Sequence, residues 1–215
     1  MKTIEHQSIK IPVGDKELQG ILTIPVDAKG LVIFSHGSGS SHLSPRNQSV
    51  SNKLNDHDFA TLLFDLLTPE EDQIYSNRFD IRMLSERLIT ATEWAHNQEP
   101  LKDLPIGYFG ASTGAASALN AAGALRSHIK AVVSRGGRPD LADAQLIKNV
   151  SASVLLLVGG WDRQVIPLNQ VAFRLLPNSA KLEIIPGATH LFEEPGKLEQ
   201  VTETSIRWFQ NYLTP

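Results

Sequence analysis

Several short apolar runs, each of strand length and each followed by a helix-like segment after a brief connection, constrain this chain more than anything else in it. Gly30-Leu31-Val32-Ile33-Phe34-Ser35 is the clearest, and comparable runs occupy residues 59–65, 104–109, 129–134, 153–158 and 180–185. An unbroken apolar run of this length has no polar face, so it suits a strand covered on both sides. Such strands, alternating with helices, build one parallel, doubly wound sheet.

Before these runs, residues 4–12 and 17–25 alternate partially around Val13-Gly14-Asp15-Lys16, which reads as an antiparallel hairpin. The count is then about eight strands. Ser44-Pro45 marks a helix N-cap and first helical position. Residues 77–98 form the clearest amphipathic helix, with Ile81, Leu84, Leu88, Ala91 and Ala95 on one face. Further helices are expected at 139–148 and 167–176, and a last one opens at Pro195 with an apolar stripe of Val201, Trp208 and Tyr212. Thr68-Pro69-Glu70-Glu71-Asp72 reads as an acidic loop. No insertion is long enough for a cap, so residues 1–215 are expected to form a single domain.

Composition removes whole classes of chemistry. The chain has no cysteine, which excludes thiol catalysis, disulfides and cysteine-based zinc sites. A net charge of −3 and the lack of a basic run argue against a nucleic-acid partner. No stretch approaches membrane-spanning length and the first residues carry no apolar signal core, so no membrane partner and a cytoplasmic location are expected. Gly37-Ser38-Gly39 lacks the third glycine of a dinucleotide loop, and neither Gly-Lys-Ser/Thr nor His-Glu-x-x-His occurs. Neither a cofactor nor a metal is therefore expected, and the protein should be a monomer or a homodimer.

In an open parallel sheet, sites form where strands end at their carboxyl side. Gly110-Ala111-Ser112-Thr113-Gly114 lies between a strand and an Ala-rich helix and matches G-x-S-x-G. A serine raised on so tight a turn needs small neighbours two residues away on either side. Asp162 follows the seventh strand in Gly159-Gly160-Trp161-Asp162, and His190 follows the eighth in Pro186-Gly187-Ala188-Thr189-His190. The chain order is Ser, Asp, His, three motifs at three strand ends. Ser112 needs a base to become a nucleophile, His190 can be that base, and Asp162 can hold the imidazole in the useful tautomer. Asp65 and Asp140 are rival acids. The Thr113 amide and the Ser38 amide, from the loop after the third strand, are the candidate oxyanion donors. His36 is expected to brace that loop, and His42 is a candidate to line the site.

Ser35-His36-Gly37-Ser38-Gly39-Ser40-Ser41, Gly107-Tyr108-Phe109-Gly110-Ala111-Ser112-Thr113-Gly114, Gly159-Gly160-Trp161-Asp162 and Pro186-Gly187-Ala188-Thr189-His190-Leu191-Phe192 together resemble the α/β-hydrolase superfamily, and within it the small, cap-less, dienelactone-hydrolase-like group. The resemblance implies the α/β-hydrolase fold and cofactor-free hydrolysis of an ester, a lactone or a related acyl group. The group's namesake enzymes use a cysteine nucleophile. With none here, the resemblance implies a serine esterase. Some similar proteins are joined to a phosphoribosyltransferase domain, and no function is carried over from it. A thioesterase or peptidase, or a non-catalytic module that binds a small molecule in the same pocket, are the alternatives.

The cations are sorted by kind. Lys29, Lys102, Lys130, Lys148 and Lys181 lie near the strands' amino ends, whereas Arg46, Arg135, Arg138 and Arg163 follow the carboxyl ends. Two readings are open. The arginines pair with Asp65, Glu70, Glu71, Asp140, Glu193 or Glu194. Or Arg46 and Arg135 bind a carboxylate or phosphate on an anionic substrate by fork geometry.

Overall fold

A computed structural model describes residues 4–177 and 179–213; the outermost residues of the 1–215 span and residue 178 lie outside it. The eight strands are β1 (Ile4–Val13), β2 (Lys16–Pro25), β3 (Gly30–Ser35), β4 (Phe59–Phe64), β5 (Ile106–Ala111), β6 (Ile129–Arg135), β7 (Ser153–Gly159) and β8 (Lys181–Ile185). They form one sheet in the order β1-β2-β4-β3-β5-β6-β7-β8. β1 and β2 pair antiparallel through a two-residue loop in which Gly14 takes φ +60°, the conformation that the first central position of such a loop demands. β2 also runs antiparallel to β4, and every later pairing is parallel. β3, β4 and β5 are buried along their whole length, as their unbroken apolar sequences require.

The helices are α1 (Pro45–Asp56), α2 (Pro69–Asp72), α3 (Ile81–His96), α4 (Thr113–Leu125), α5 (Ala144–Lys148), α6 (Val165–Phe173) and α7 (Lys197–Tyr212). On one face of the sheet, Val50 and Leu54 of α1 and Val201, Ile206 and Phe209 of α7 pack on Val32, Phe34, Phe109, Ala131 and Val133. On the other, Leu84 and Leu88 of α3 and Ala118, Leu119 and Ala122 of α4 pack on Leu31, Ile33, Tyr108 and Val132. Successive strand residues therefore feed opposite layers.

Several boundaries differ from the sequence expectation. The acidic segment 68–72 is a helical turn with a complete capping box: Thr68 Oγ1 accepts from the Glu71 amide while Glu71 accepts from the Thr68 amide. The helix expected from residue 77 begins at Ile81, because Asp80 caps it by accepting from the Met83 amide. Residues Tyr75–Phe79 form a separate 3₁₀ turn. Residues 139–148 split into a 3₁₀ turn and α5, since Asp143 caps a new helix. The helix read over 167–176 spans Val165–Phe173. The last helix starts at Lys197, and its buried stripe is Val201, Ser205, Ile206 and Phe209. Trp208 packs partly buried against the same layer and donates to the Ser153 carbonyl, while Tyr212 is exposed and lies against Trp208, ring centroids 4.7 Å apart.

Candidate active site

Ser112 lies between β5 and α4 with φ +50° and ψ −120°, a conformation rare for a residue with a side chain and costing on the order of 1–3 kcal/mol. Its surroundings leave no alternative to glycine at two neighbours. A Cβ on Gly114 would stand 2.1 Å from the Ser35 carbonyl oxygen, and one on Gly110 would stand 2.6 Å from Ala115 Cα. The elbow is tied to β6, because the Ser112 amide donates to the Arg135 carbonyl at 3.2 Å.

Asp162 and His190 meet because β7 and the loop after β8 approach without side chains between them. A Cβ on Gly159 would stand 2.4 Å from the Ala188 carbonyl oxygen, and the Trp161 amide donates to that same oxygen at 2.9 Å. The His190 loop is held at both ends. The Thr189 amide donates to the Glu194 carboxylate, and Phe192, at φ +57°, is buried in the α1/α7 layer. His190 Nδ1–H donates to Asp162 Oδ2 at 2.6 Å, which leaves Nε2 to accept from Ser112 Oγ at 3.2 Å. Asp162 is nearly buried and His190 about a third exposed.

The rival acids are engaged elsewhere. Asp65 accepts the His42 backbone amide at 2.7 Å and lies 2.9 Å from His42 Nδ1. Asp140 holds Arg138 in a two-point fork, both contacts at 2.8 Å. The His42 backbone is thus tied to Asp65, with its ring beside that carboxylate.

The loop after β3 brings Ser38 against the elbow, and its amide donates to Thr113 Oγ1 at 2.9 Å. The Ser38 donor therefore already has an acceptor, which the sequence did not suggest. His36 braces this loop from below. Its Nδ1–H donates to the Gly37 carbonyl and its Nε2 accepts from the Leu66 amide. Burial holds its pKa below the ordinary histidine value, so it stays neutral and keeps both contacts. Arg78 escaped the sequence reading. It forks onto Asp72 at 2.9 and 2.7 Å and reaches within 3.6 Å of where a Gly39 Cβ would lie. Recognising Asp80 as a helix cap would have left Arg78 on a strand-end loop, next to the site.

The two arginine readings divide residue by residue. Arg46 reaches Glu193 at 2.8 Å and Arg138 reaches Asp140, as the pairing reading expects. Arg135 is buried, and its Nε has no hydrogen-bond partner. The hollow against Ser38 and Thr113 holds only about 10 Å³, while a cleft of about 1020 Å³ lies at the other end of the sheet, between Leu104, Leu125 and Tyr212. The polar groups that converge are at the strands' carboxyl ends, so the candidate site is there and not in the larger hollow.

A family model described as the alpha/beta hydrolase fold matches residues 30–186, and the chain belongs to that family. Its place within the family is the dienelactone-hydrolase-like group: dienelactone hydrolase from Anabaena variabilis superposes with a TM-score of 0.94 at 47% identity, over 98% of this chain and 99% of that one. Est1E from Butyrivibrio proteoclasticus shares the fold, with a TM-score of 0.81 at 19% identity over 95% of this chain and 98% of its own. A Mycobacterium tuberculosis protein that bears the name of a phosphoribosyl transferase is 50% identical over 210 residues, 98% of this chain. The chain spans only 47% of that protein's length, about half of the curated relatives it matches. Fold and neighbours together support hydrolytic activity. No helix among the described residues is long and apolar enough to cross a membrane.

Proposed function

We propose that this chain is a serine hydrolase that cleaves small esters or lactones through an acyl-enzyme. One observation carries the reading. Ser112 stands on a strained turn with His190 Nε2 at 3.2 Å, and the far nitrogen of that ring is anchored to Asp162 at 2.6 Å. In this reading Ser112 Oγ attacks the ester carbonyl as its proton passes to His190 Nε2. The tetrahedral oxyanion accepts hydrogen bonds from the Thr113 amide and from the Ser38 amide, which shares its proton with Thr113 Oγ1. His190 then hands the proton to the departing alkoxide. A water molecule, deprotonated by the same ring, attacks the acyl-enzyme; His190 returns that proton to Ser112 Oγ as the acid is released. Asp162 keeps the ring's Nδ1 protonated and stabilises the imidazolium.

The name borne by the Mycobacterium tuberculosis relatives belongs to proteins about twice as long, and no transferase activity is assigned to this chain from it. The test is covalent labelling with a fluorophosphonate. The protein should take one label, on Ser112, and Ser112→Ala should take none while remaining folded. Folded wild-type protein that neither labels nor turns over a panel of oxoesters, lactones and thioesters would refute the reading.

A further inference from the structure

β8 is the last strand in the sheet order, and among the described residues only β7 pairs with it. One hydrogen bond tells which of its backbone groups face outward. The Ile185 carbonyl accepts from the Gly160 amide, just past β7, at 2.8 Å. Successive strand residues turn their backbone groups to opposite sides. Lys181, Glu183 and Ile185 therefore address β7, while Leu182 and Ile184 present their N–H and C=O groups at the free edge. Such an edge is a template for another strand, and proteins ordinarily blunt or cover it. The opposite edge is blunted, since β1 exposes Glu5, His6, Gln7, Ser8 and Lys10.

The β8 edge is apolar on one face and charged on the other. α6 packs over β7 and β8. Leu176, at the end of the buried side of α6, joins the α3/α4 layer with Leu182, so α6, Leu182 and Ile184 share one face. That face is not fully covered: Val171 of α6 is 57% exposed, Leu175 in the turn after it 36%, and Ile184 37%. On the other face Lys181 and Glu183 bridge one another at 2.9 Å. Charges on an edge strand usually discourage pairing, but here their order makes the strand complementary to itself. In an antiparallel pair about a twofold axis at Leu182, Lys181 lies opposite the partner's Glu183 and Glu183 opposite the partner's Lys181. An axis at Lys181 or at Glu183 would set like charges face to face. An axis at Ile184 would put Pro186, which has no N–H, opposite Leu182.

We propose that the β8 edge is an isologous interface between two copies of this chain, with Leu182 on the twofold axis. Leu182 exchanges a pair of backbone hydrogen bonds with its counterpart, and the two sheets become one. The axis runs through the sheet, so both α6 helices lie on the same face, where Val171, Leu175 and Ile184 of each copy are withdrawn from water. On the other face the Lys–Glu pairs cross the interface. The strands' carboxyl ends in the two copies point opposite ways, so neither copy covers the other's Ser112. The inference is independent of what Ser112 attacks.

The test is sedimentation of the full chain over a concentration series. Wild-type protein should run at twice the mass of one chain at about 50 µM. Glu183→Lys sets lysine opposite lysine and should weaken dimerisation at least about tenfold. Lys181→Glu combined with Glu183→Lys restores the pairing and should return the dissociation constant to within about threefold of wild type. Val171→Asp, at an exposed position on α6, places a charge in the apolar half of the interface and should also weaken the dimer at least about tenfold. Circular dichroism and a thermal melt of each variant show that the separated chains are folded. A wild-type chain that sediments as a monomer at about 50 µM overturns the interface. So does a dimer that either single variant leaves intact, because its contact lies elsewhere, or one that the double reversal does not restore.

Discussion

The backbone amide of Ser38 donates to the hydroxyl of Thr113, 2.9 Å away across 75 residues of sequence. A candidate oxyanion donor is thus held by the side chain of the residue whose own amide is the other candidate. The hydroxyl orients the Ser38 N–H and at the same time shares it. Thr113→Ser keeps the oxygen and should turn over substrate at close to the wild-type rate. Thr113→Val removes it, and kcat should fall about tenfold, ~1.4 kcal/mol, with little change in KM. A rise in kcat for Thr113→Val would mean that the hydroxyl competes with the oxyanion instead of aiming its donor.

Asp162 has a narrower task. Its carboxylate meets His190 at 2.6 Å, and an amide in its place would favour the wrong imidazole tautomer. Asp162→Asn should lower kcat by roughly three to four orders of magnitude, with a Tm close to that of the wild type. Steady-state kinetics beside a thermal melt would separate this from a loss of folding.

Gly114 tests the sterics of the elbow. With Ser35 O at 2.1 Å and His36 O at 2.4 Å from the added carbon, Gly114→Ala must push β3 and α4 apart. The expected cost is about 3 kcal/mol or more, a fall in Tm of roughly 6–12 °C, together with loss of esterase turnover. Unchanged stability would mean that the two elements can separate freely.

Glu71 ties three elements together. It accepts from Lys16 at 2.6 Å, from Arg87 at 2.9 Å and from the Thr68 amide at 2.9 Å. Burial alone would raise its pKa; Lys16, the Thr68 amide and Arg87 outweigh burial and hold it below the ordinary value of 4.5. The folded form therefore binds its proton less readily than the unfolded form. The stabilisation is complete above the unfolded value and is lost as the pH falls through the lower, folded one. Glu71→Gln should cost about 2 kcal/mol at neutral pH, and the difference in Tm from wild type should shrink as the pH is lowered below 4.5. A Tm difference that does not change with pH would place the effect in packing and not in charge.

Much of the site could be read from local signals. The turn around Ser112, the strand ends before Asp162 and His190, and the glycine loop after β3 all follow from short-range sterics and apolar patterning. Where the reading missed, the cause was a boundary. Ending β6 at Ser134 places Arg135 after the strand, whereas β6 runs through Arg135. One more strand residue turns its side chain into the α1/α7 layer, because strand residues alternate between faces. Starting the third helix at 77 instead of 81 hid Arg78 in the same way. The stripe of the last helix was drawn through Trp208 and Tyr212; Trp208 does pack on the α1/α7 layer, but Tyr212 is exposed and the residue that lies fully buried over the sheet is Phe209.

By itself the sequence determined the strand and helix alternation, the hairpin, the positive-φ serine turn and the order Ser, Asp, His, since each depends on residues within a few positions of one another. Only the tertiary structure decided which acid reaches His190, which acceptor takes the Ser38 amide, and which arginine is left without a carboxylate. Those outcomes depend on distances between groups as far as 147 residues apart in the chain, as between Arg46 and Glu193. Local propensity carries no information about such distances until the sheet order brings the strand ends together.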